Sequence, residues 1–545
     1  MVLQAGENII QIAVTAADDD VQTYTLNITQ SDDSGTDTTL RSLAVEGIVL
    51  SPTFDSGLGV YDVDTNFLIN TAEISWTASS EFALVTLGES IDASDGGSLS
   101  LVAGDTATSA EITVSQVDEP ENMYRINITR EAGDGLEVSA YVKSADSAAN
   151  DIFGQAIALD DDIMVIGAPS DDNSAGSVHV LLKEDDGRWG EPEVVRAADR
   201  IDGSDFGQAV AISGNFMAVG APNANAGRVY IFTRLLGDWE QSALIEADGR
   251  QDGDEFGASL SLIGNTLVVG APGRDDDKGR AYVYSRSGNN WSLEDGEIDT
   301  SSGEAGDRFG ASVALNLTDP EEVFIGAPLE NSESGDEAEA GAVYVFRKTD
   351  GTWNEQGDVV RAETSIAGAK FGAAIAAKGN RLVVGAPQSI DDVAESTGTG
   401  SVIAFERADS GWNERQVLSP EAGVAMEFGS SVALSSDMLV VGAPLEDSDD
   451  SAFDNNASDN TGATNAGAAY LYAFDADVDN EWELERYLKA SNSGAEDQFG
   501  RAVAFSGQTL VISAPLEDSG TNGTEANTSS ADEAASESGA VYIVE

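Results

Sequence analysis

From about residue 150 onward one unit recurs seven times, and such a period restricts the fold more than any other property of this chain. Phe-Gly stands at 153, 206, 256, 309, 371, 428 and 499. Gly-Ala-Pro follows at 167, 220, 270, 326, 385 and 442, with Ser513-Ala514-Pro515 in the seventh copy. After a polar loop comes a run beginning with glycine, such as "GRVYIF" or "GAVYVF". A tryptophan (Trp189, Trp239, Trp291, Trp353, Trp412, Trp482) then leads a fourth apolar run. Each unit therefore predicts four short strands. The first is made of Gly, Ala and Ser, which suits strands crowded around a central axis. The second, "LVVGAP", is apolar on both faces, as a strand buried between sheets should be, and proline ends it by removing a ladder donor. Gly-Asn turns at 214–215, 264–265 and 379–380 mark hairpins between these two strands. The prediction is an all-β chain whose larger part is a seven-bladed β-propeller.

The seventh copy reaches Glu545 without a fourth strand. Before the first Phe-Gly, "LEVSAYVKSADSAANDIFG" aligns with "WELERYLKASNSGAEDQFG". Leu136 falls under Trp482, Tyr141 under Tyr487, Lys143 under Lys489 and Phe153 under Phe499. Residues 136–142 are thus expected to pair with Ala540–Val544 and close the ring over 136–545, leaving no open sheet edge. The combination of Phe-Gly, Gly-Ala-Pro and Gly-Ala-Val-Tyr-Val-Phe resembles the FG-GAP repeats of the integrin α-subunit propeller, and bacterial surface proteins of integrin-like type. That resemblance implies the propeller and a binding role, although one fold hosts many activities.

Ahead of the repeats, "LQAGENIIQIAVTAADDDVQTYTLNITQ" matches "LVAGDTATSAEITVSQVDEPENMYRINITR", with Tyr24 against Tyr124 and Ile28 against Ile128. Short alternating runs between turn signals read as an antiparallel β-sandwich. The "LSPTF" run, Tyr61 and the Tyr-x-x-Asn-Ile-Thr ending resemble the cadherin-like β-sandwiches of bacterial surface proteins. The resemblance covers 38–131, with the C-terminal half of a second such domain in 1–31. Met1 is accordingly expected to fall inside a domain, with an export signal upstream, since "MVLQAGENII" is not one.

Asp and Glu number 97 against 27 Lys and Arg, a formal charge of -70. That balance opposes nucleic acid and anionic membrane surfaces as partners. No run of 18 apolar residues is present, so direct membrane insertion is not expected. Divalent cations are the natural small partners. With no Cys and a single His, neither a zinc site nor a Ser-His-Asp triad is expected. His179 occupies the slot of Tyr230, Tyr282, Tyr344 and Tyr470 and reads as a packing residue.

Resemblance to integrin α propellers implies calcium in Asp-x-Asp-x-Asp-Gly loops between the first two strands of some blades. Here those loops read "LDDD", "SGN", "IGN", "NLTDPEE", "KGN", "SSD" and "SGQ", without the spaced carboxylates calcium needs. Asp160, Asp161 and Asp162 read as a solvated turn. The acid lies instead after Gly-Ala-Pro, where Leu-Glu-(Asp/Asn)-Ser recurs at Glu330-Asn331, Glu446-Asp447 and Glu517-Asp518. Glu446, Asp447, Asp449, Asp450, Glu517 and Asp518 are the candidate calcium ligands. The other reading of these loops is the solvated surface of a salt-adapted protein. The expectation is a non-enzymatic, calcium-dependent binding or adhesion protein, extracellular or at the cell surface, with a protein or glycan ligand. Its alternatives are a propeller lyase or hydrolase acting on polysaccharide, or a structural module of a larger surface protein. The enzyme would need a catalytic cluster that breaks the repeat symmetry.

Overall fold

The computed structural model describes the chain except residues 1–5, 16–20, 31–36, 46–47, 81, 89–95, 102–106, 117–118, 133–135, 185, 289, 301–302, 319, 357–358, 389–398, 409–410, 421–426, 450–461, 476–480, 521–522 and 526–534. It is all-β apart from two four-residue helical turns, Asp171–Ser174 and Arg274–Asp277. The residues divide into two units, Met1–Thr65 with Thr71–Glu131, and Asn66–Asn70 with Ala132–Glu545.

In the first unit Gly6–Thr15 pairs antiparallel with Val21–Gln30. Leu40–Val45, Thr71–Ala78 and Gly96–Ser100 form a three-stranded sheet, and Val60–Thr65, Asn122–Arg130, Thr108–Ser115 and Leu84–Leu87 a four-stranded one. Alternation sorts the faces: Ala72, Ile74 and Trp76 are buried while Glu73, Ser75 and Thr77 are exposed. Tyr124, buried, receives a hydrogen bond from the Leu40 amide at 3.1 Å and donates to the Ser56 carbonyl at 3.0 Å. One pairing corrects the antiparallel expectation. Val60–Thr65 runs parallel to Asn122–Arg130, with Val60 opposite Arg125. Alternation has a period of two whichever way a strand runs, so it carries no direction.

Among the described residues the second unit holds seven sheets. Six have four antiparallel strands in chain order, from Ile157–Asp160, Ile163–Ala168, Ser177–Leu182 and Glu193–Val195 to Ser431–Leu434, Met438–Ala443, Ala468–Asp475 and Glu481–Leu488. The innermost strands of successive sheets pack on one another, and the series returns from Val503–Ser506 to Ile157–Asp160. Second strands are buried throughout: Leu267, Val268 and Val269 are fully covered, each worth about 1.5–3 kcal/mol on burial.

The Phe-Gly and Gly-Ala-Pro motifs meet at the junction between sheets. The Gly207 amide donates to Gly220 O of its own sheet at 3.0 Å, while Gly207 O faces Gly167 of the preceding sheet. A Cβ on Gly167 would lie 2.0 Å from that oxygen, and Gly207 itself holds φ +97°. Only glycine fits both places. The phenylalanines form the other half of the junction. Phe206 meets Tyr230 edge-on at 5.3 Å, as Phe256 meets Tyr282 at 5.2 Å and Phe499 meets Tyr542 at 5.2 Å.

The seventh sheet draws on both ends of the unit. Its order is Val503–Ser506, Thr509–Ala514, Ala540–Val544, Val138–Lys143 and Gly523–Glu525. Tyr141 lies opposite Tyr542 and Val142 opposite Val541. The outermost strand, Gly523–Glu525, comes from inside the long acidic loop and pairs with Tyr141–Lys143. Its Gly-Thr composition gave no strand signal.

Candidate functional site

The acidic loop after each Ala-Pro begins at the end of a buried strand, so its first residues are held by the sheet. In the sixth sheet Glu446 follows Pro444-Leu445 and is 1% exposed. Lys489, at the end of the fourth strand, donates to Glu446 Oε2 at 2.8 Å and to the Gly467 carbonyl at 2.7 Å. The Ser448 amide and hydroxyl donate to the same carboxylate at 3.1 and 3.0 Å, and Ser448 Oγ shares a 2.7 Å hydrogen bond with Tyr487 OH. The seventh sheet repeats this arrangement. Lys143 donates to Glu517 Oε2 at 2.6 Å and to Ser538 Oγ at 2.8 Å, and Tyr141 OH meets Ser519 Oγ at 2.6 Å.

The aspartates next in line close the loops. Asp447 Oδ1 accepts from the Asn465 amide at 2.9 Å, and Asp518 Oδ1 from the Glu537 amide at 2.7 Å. Asp449 is exposed and lies against Gly462, and Asp450 lies outside the described residues. Leu-Glu-Asp-Ser is therefore a device for anchoring a long loop at both ends. Calcium takes six to eight oxygens. Around Glu446 and Glu517 an ammonium already sits where such an ion would, so these two do not fit a calcium set. Among the described residues no group of three or more His, Asp or Glu is placed to hold a metal.

The same position carries an ion pair in two further sheets. Arg196 pairs with Asp171 at 2.8 Å, and Arg361 pairs with Glu330. In the second and third sheets an acid follows the fourth strand and meets a base at a different position: Glu246 meets Arg228 of the third strand at 2.9 Å, and Asp299 meets Lys278 at 3.1 Å. The fifth sheet has Ser419 there. The four equivalent locks could have been found by comparing the repeats, because Asp or Glu two residues after the proline (Asp171, Glu330, Glu446, Glu517) goes with Arg or Lys after the fourth strand (Arg196, Arg361, Lys489, Lys143).

Two tryptophans bind the neighbouring sheet through an acid. Trp353 Nε1 donates to Glu294 at 2.9 Å beside Lys348, and Trp189 Nε1 donates to Glu545 at 3.3 Å beside Lys183. His179 is buried edge-on against Phe153 at 5.0 Å, and burial pushes its pKa down to about 4. It packs as the tyrosines do. Asp160 accepts a hydrogen bond from the Gly214 amide, so the acidic triplet ties one turn to the next.

Asp497, just before the seventh Phe-Gly, is 5% exposed and accepts from the Gly494 amide at 2.7 Å. Burial, then the charges of Glu517 and Asp518, push its pKa up to about 7, against the opposing pull of Lys143. An unfolded aspartate titrates near ~4, so folding takes up a proton between those values. The stability from this group is complete below about pH 4 and is lost as pH rises through about 7. Asp497→Asn keeps an acceptor for Gly494 and removes the titration. Urea unfolding at pH 5 and pH 8 should show the wild type losing on the order of 2–4 kcal/mol more than the variant over that range. Equal losses would assign the slope to other groups.

Strand content and sheet order define an all-β repeat protein consistent with a propeller. The FG-GAP repeat family matches five segments, 139–181, 189–232, 239–284, 412–472 and 482–544, which supports an FG-GAP β-propeller. Each match starts on the fourth strand of one sheet or at its tryptophan and ends on the third strand of the next, so the sequence unit is offset from the sheet by one strand. No curated protein matches the chain. Among solved structures, Sqt1 from Chaetomium thermophilum is similar over 70% of this chain and 83% of its own, at 14% identity and a TM-score of 0.41, too low to carry an argument.

Proposed function

We infer that the chain is a non-enzymatic binding or adhesion protein of the extracellular or cell-surface kind, built on a seven-bladed FG-GAP propeller of integrin-α-like type. The first unit is read as cadherin-like β-sandwich spacers. The observation that carries the reading is the use made of the repeat. Five FG-GAP segments fall on sheets of one repeated pattern, and the chemically versatile groups brought together at the loop bases serve as internal locks. What remains for recognition is the exposed part of the acidic rim.

Purified protein should bind saturably to members of a panel of extracellular polysaccharides and matrix proteins, leaving the polysaccharides intact. New reducing ends or unsaturated sugars formed with turnover would replace this reading with the polysaccharide-acting enzyme.

Calcium dependence is proposed for the loop aspartates Asp447, Asp449 and Asp518 rather than for Glu446 and Glu517. Extracellular modules bind calcium at ~10⁻⁴–10⁻³ M, and a ligand held only by the folded form stabilises it by mass action. Calcium at ten times a millimolar dissociation constant should add about 1.4 kcal/mol, seen as a rise in melting temperature beyond that in sodium chloride of matched ionic strength. An equal rise with sodium or magnesium would reduce the loops to screened charge.

A further inference from the structure

The fifth sheet breaks the repeat at a second place. In the six other sheets the third strand puts an aromatic ring against the Phe-Gly phenylalanine: His179, Tyr230, Tyr282, Tyr344, Tyr470 and Tyr542, at 5.0 to 5.4 Å between centroids. In the fifth sheet that residue is Ile403. Phe371 keeps only its second-row partner, Phe405, at 5.9 Å. The ring is missing, and a cavity of about 100 Å³ lies at this place, walled by Phe371, Ile403, Ile366 and Ala386, with Glu414 and Val417 also lining it. Val417 is 54% exposed. Apolar cavities of ~150 Å³ stay dry and take up benzene, so the space is of the order that one aromatic ring needs.

Beside the hydroxyls of Thr364, Ser365 and Ser401, the lining holds one carboxylate, Glu414, and a carboxylate is the acceptor these rings use elsewhere. Tyr344 donates its hydroxyl to Glu330 at 2.7 Å, and Tyr230 donates to Asp199 at 3.0 Å. Glu414 accepts from the Glu363 amide at 2.7 Å, and burial pushes its carboxyl pKa up. In the second sheet Gln241 makes the corresponding bond to the Ala198 amide at 2.9 Å. The amide-capping role is thus one that a glutamine fulfils, whereas a carboxylate beside an apolar cavity adds a strong acceptor.

We propose that this cavity is a binding site for a para-substituted phenol, whose ring takes the place of the absent tyrosine against Phe371 and whose hydroxyl donates to Glu414. A free phenolic compound and a tyrosine side chain of a polypeptide share that chemistry. p-Cresol and N-acetyl-tyrosinamide separate them.

The reporter is the Ile366 methyl resonance of the full chain, titrated with each probe. p-Cresol should shift it saturably and bind about tenfold more tightly than toluene, the margin of one hydrogen bond to a charged acceptor. Ile403→Tyr restores the ring and should abolish the shift. Val417→Phe, at an exposed position, should narrow the opening and weaken p-cresol. Glu414→Gln keeps the cap and should remove most of the preference over toluene. A shift by N-acetyl-tyrosinamide as well assigns a peptide-borne tyrosine, and its absence assigns a free phenol. An unmoved Ile366 resonance in saturated p-cresol, or an equal shift in Ile403→Tyr, overturns the site.

Discussion

Lys489→Met is expected to destabilise the repeat unit by about 3–5 kcal/mol, because it strands the Glu446 carboxylate in a buried place without its cation. Lys489 and Glu446 are 0% and 1% exposed at their side chains and sit 2.8 Å apart. Replacing both, as Lys489→Met with Glu446→Leu, should recover much of that loss, since a buried pair costs desolvation that apolar groups avoid. Complete recovery is not expected, because the Ser448 amide and hydroxyl lose their acceptor. The exposed pair Arg125–Glu111, at 2.7 Å, provides the contrast: Arg125→Met should cost less than about 1 kcal/mol. Urea unfolding followed by tryptophan fluorescence reads all three. A loss under ~1 kcal/mol for Lys489→Met would show that water reaches the pair.

Gly270→Ala is the second large effect. A Cβ there would stand 2.0 Å from Gly310 O and 2.2 Å from Ser259 Oγ. The oxygen belongs to backbone, so no rotamer change relieves the clash and two sheets must part. Overpacking of this kind costs about 1–3 kcal/mol even where side chains can yield, and here about 3 kcal/mol or more is expected. Gly264, in an exposed hairpin at φ +57° with nothing near its Cβ, should lose only ~1–2 kcal/mol on the same change. Ser513 already occupies the seventh equivalent, where the nearest atom to a Cβ on Gly154 is Ser513 Cβ at 2.9 Å. Its hydroxyl accepts from the Ala502 amide at 2.9 Å, so Ser513→Gly should cost about 1 kcal/mol through that bond and not through the junction. Similar losses at Gly264 and Gly270 would mean that the cost lies in backbone conformation rather than in the approach of the sheets.

The repeats were legible because their period survives every loop insertion: Phe-Gly, Gly-Ala-Pro and the tryptophan each mark a fixed point on a sheet. Val138–Lys143 could be placed because Tyr141 and Lys143 match Tyr487 and Lys489, side chains with the same buried partners in the sixth sheet. Direction and partnership were less legible. The parallel pairing of Val60–Thr65 leaves no mark on alternation. Gly523–Glu525 owes its strand to the edge offered by Tyr141–Lys143, not to its own residues. Glu446 and Glu517 looked like rim carboxylates because their lysines lie 43 residues later and 374 residues earlier. Acid seen in a row suggests a cation from solution, but the cation here is covalently part of the chain. Ile403 was visible as a departure from tyrosine, yet only the cavity beside it gives the departure a meaning.

The 374 residues between Lys143 and Glu517 also set a clock. Each of the other six sheets is complete in chain order, and in the sixth the acid is followed by its lysine within 43 residues. The seventh cannot be. At a synthesis rate of about 5–20 residues per second, Val138–Lys143 leaves the ribosome roughly twenty to eighty seconds before the strand it lies against. During that wait Tyr141, Val142 and Lys143, all buried in the finished sheet, must stay in water with an unpaired edge on either side. The seventh sheet is therefore the last to be completed, although one of its strands is made before those of the other six. A cell that makes this protein has to keep Val138–Lys143 from pairing with another molecule's Ala540–Val544 until its own arrives.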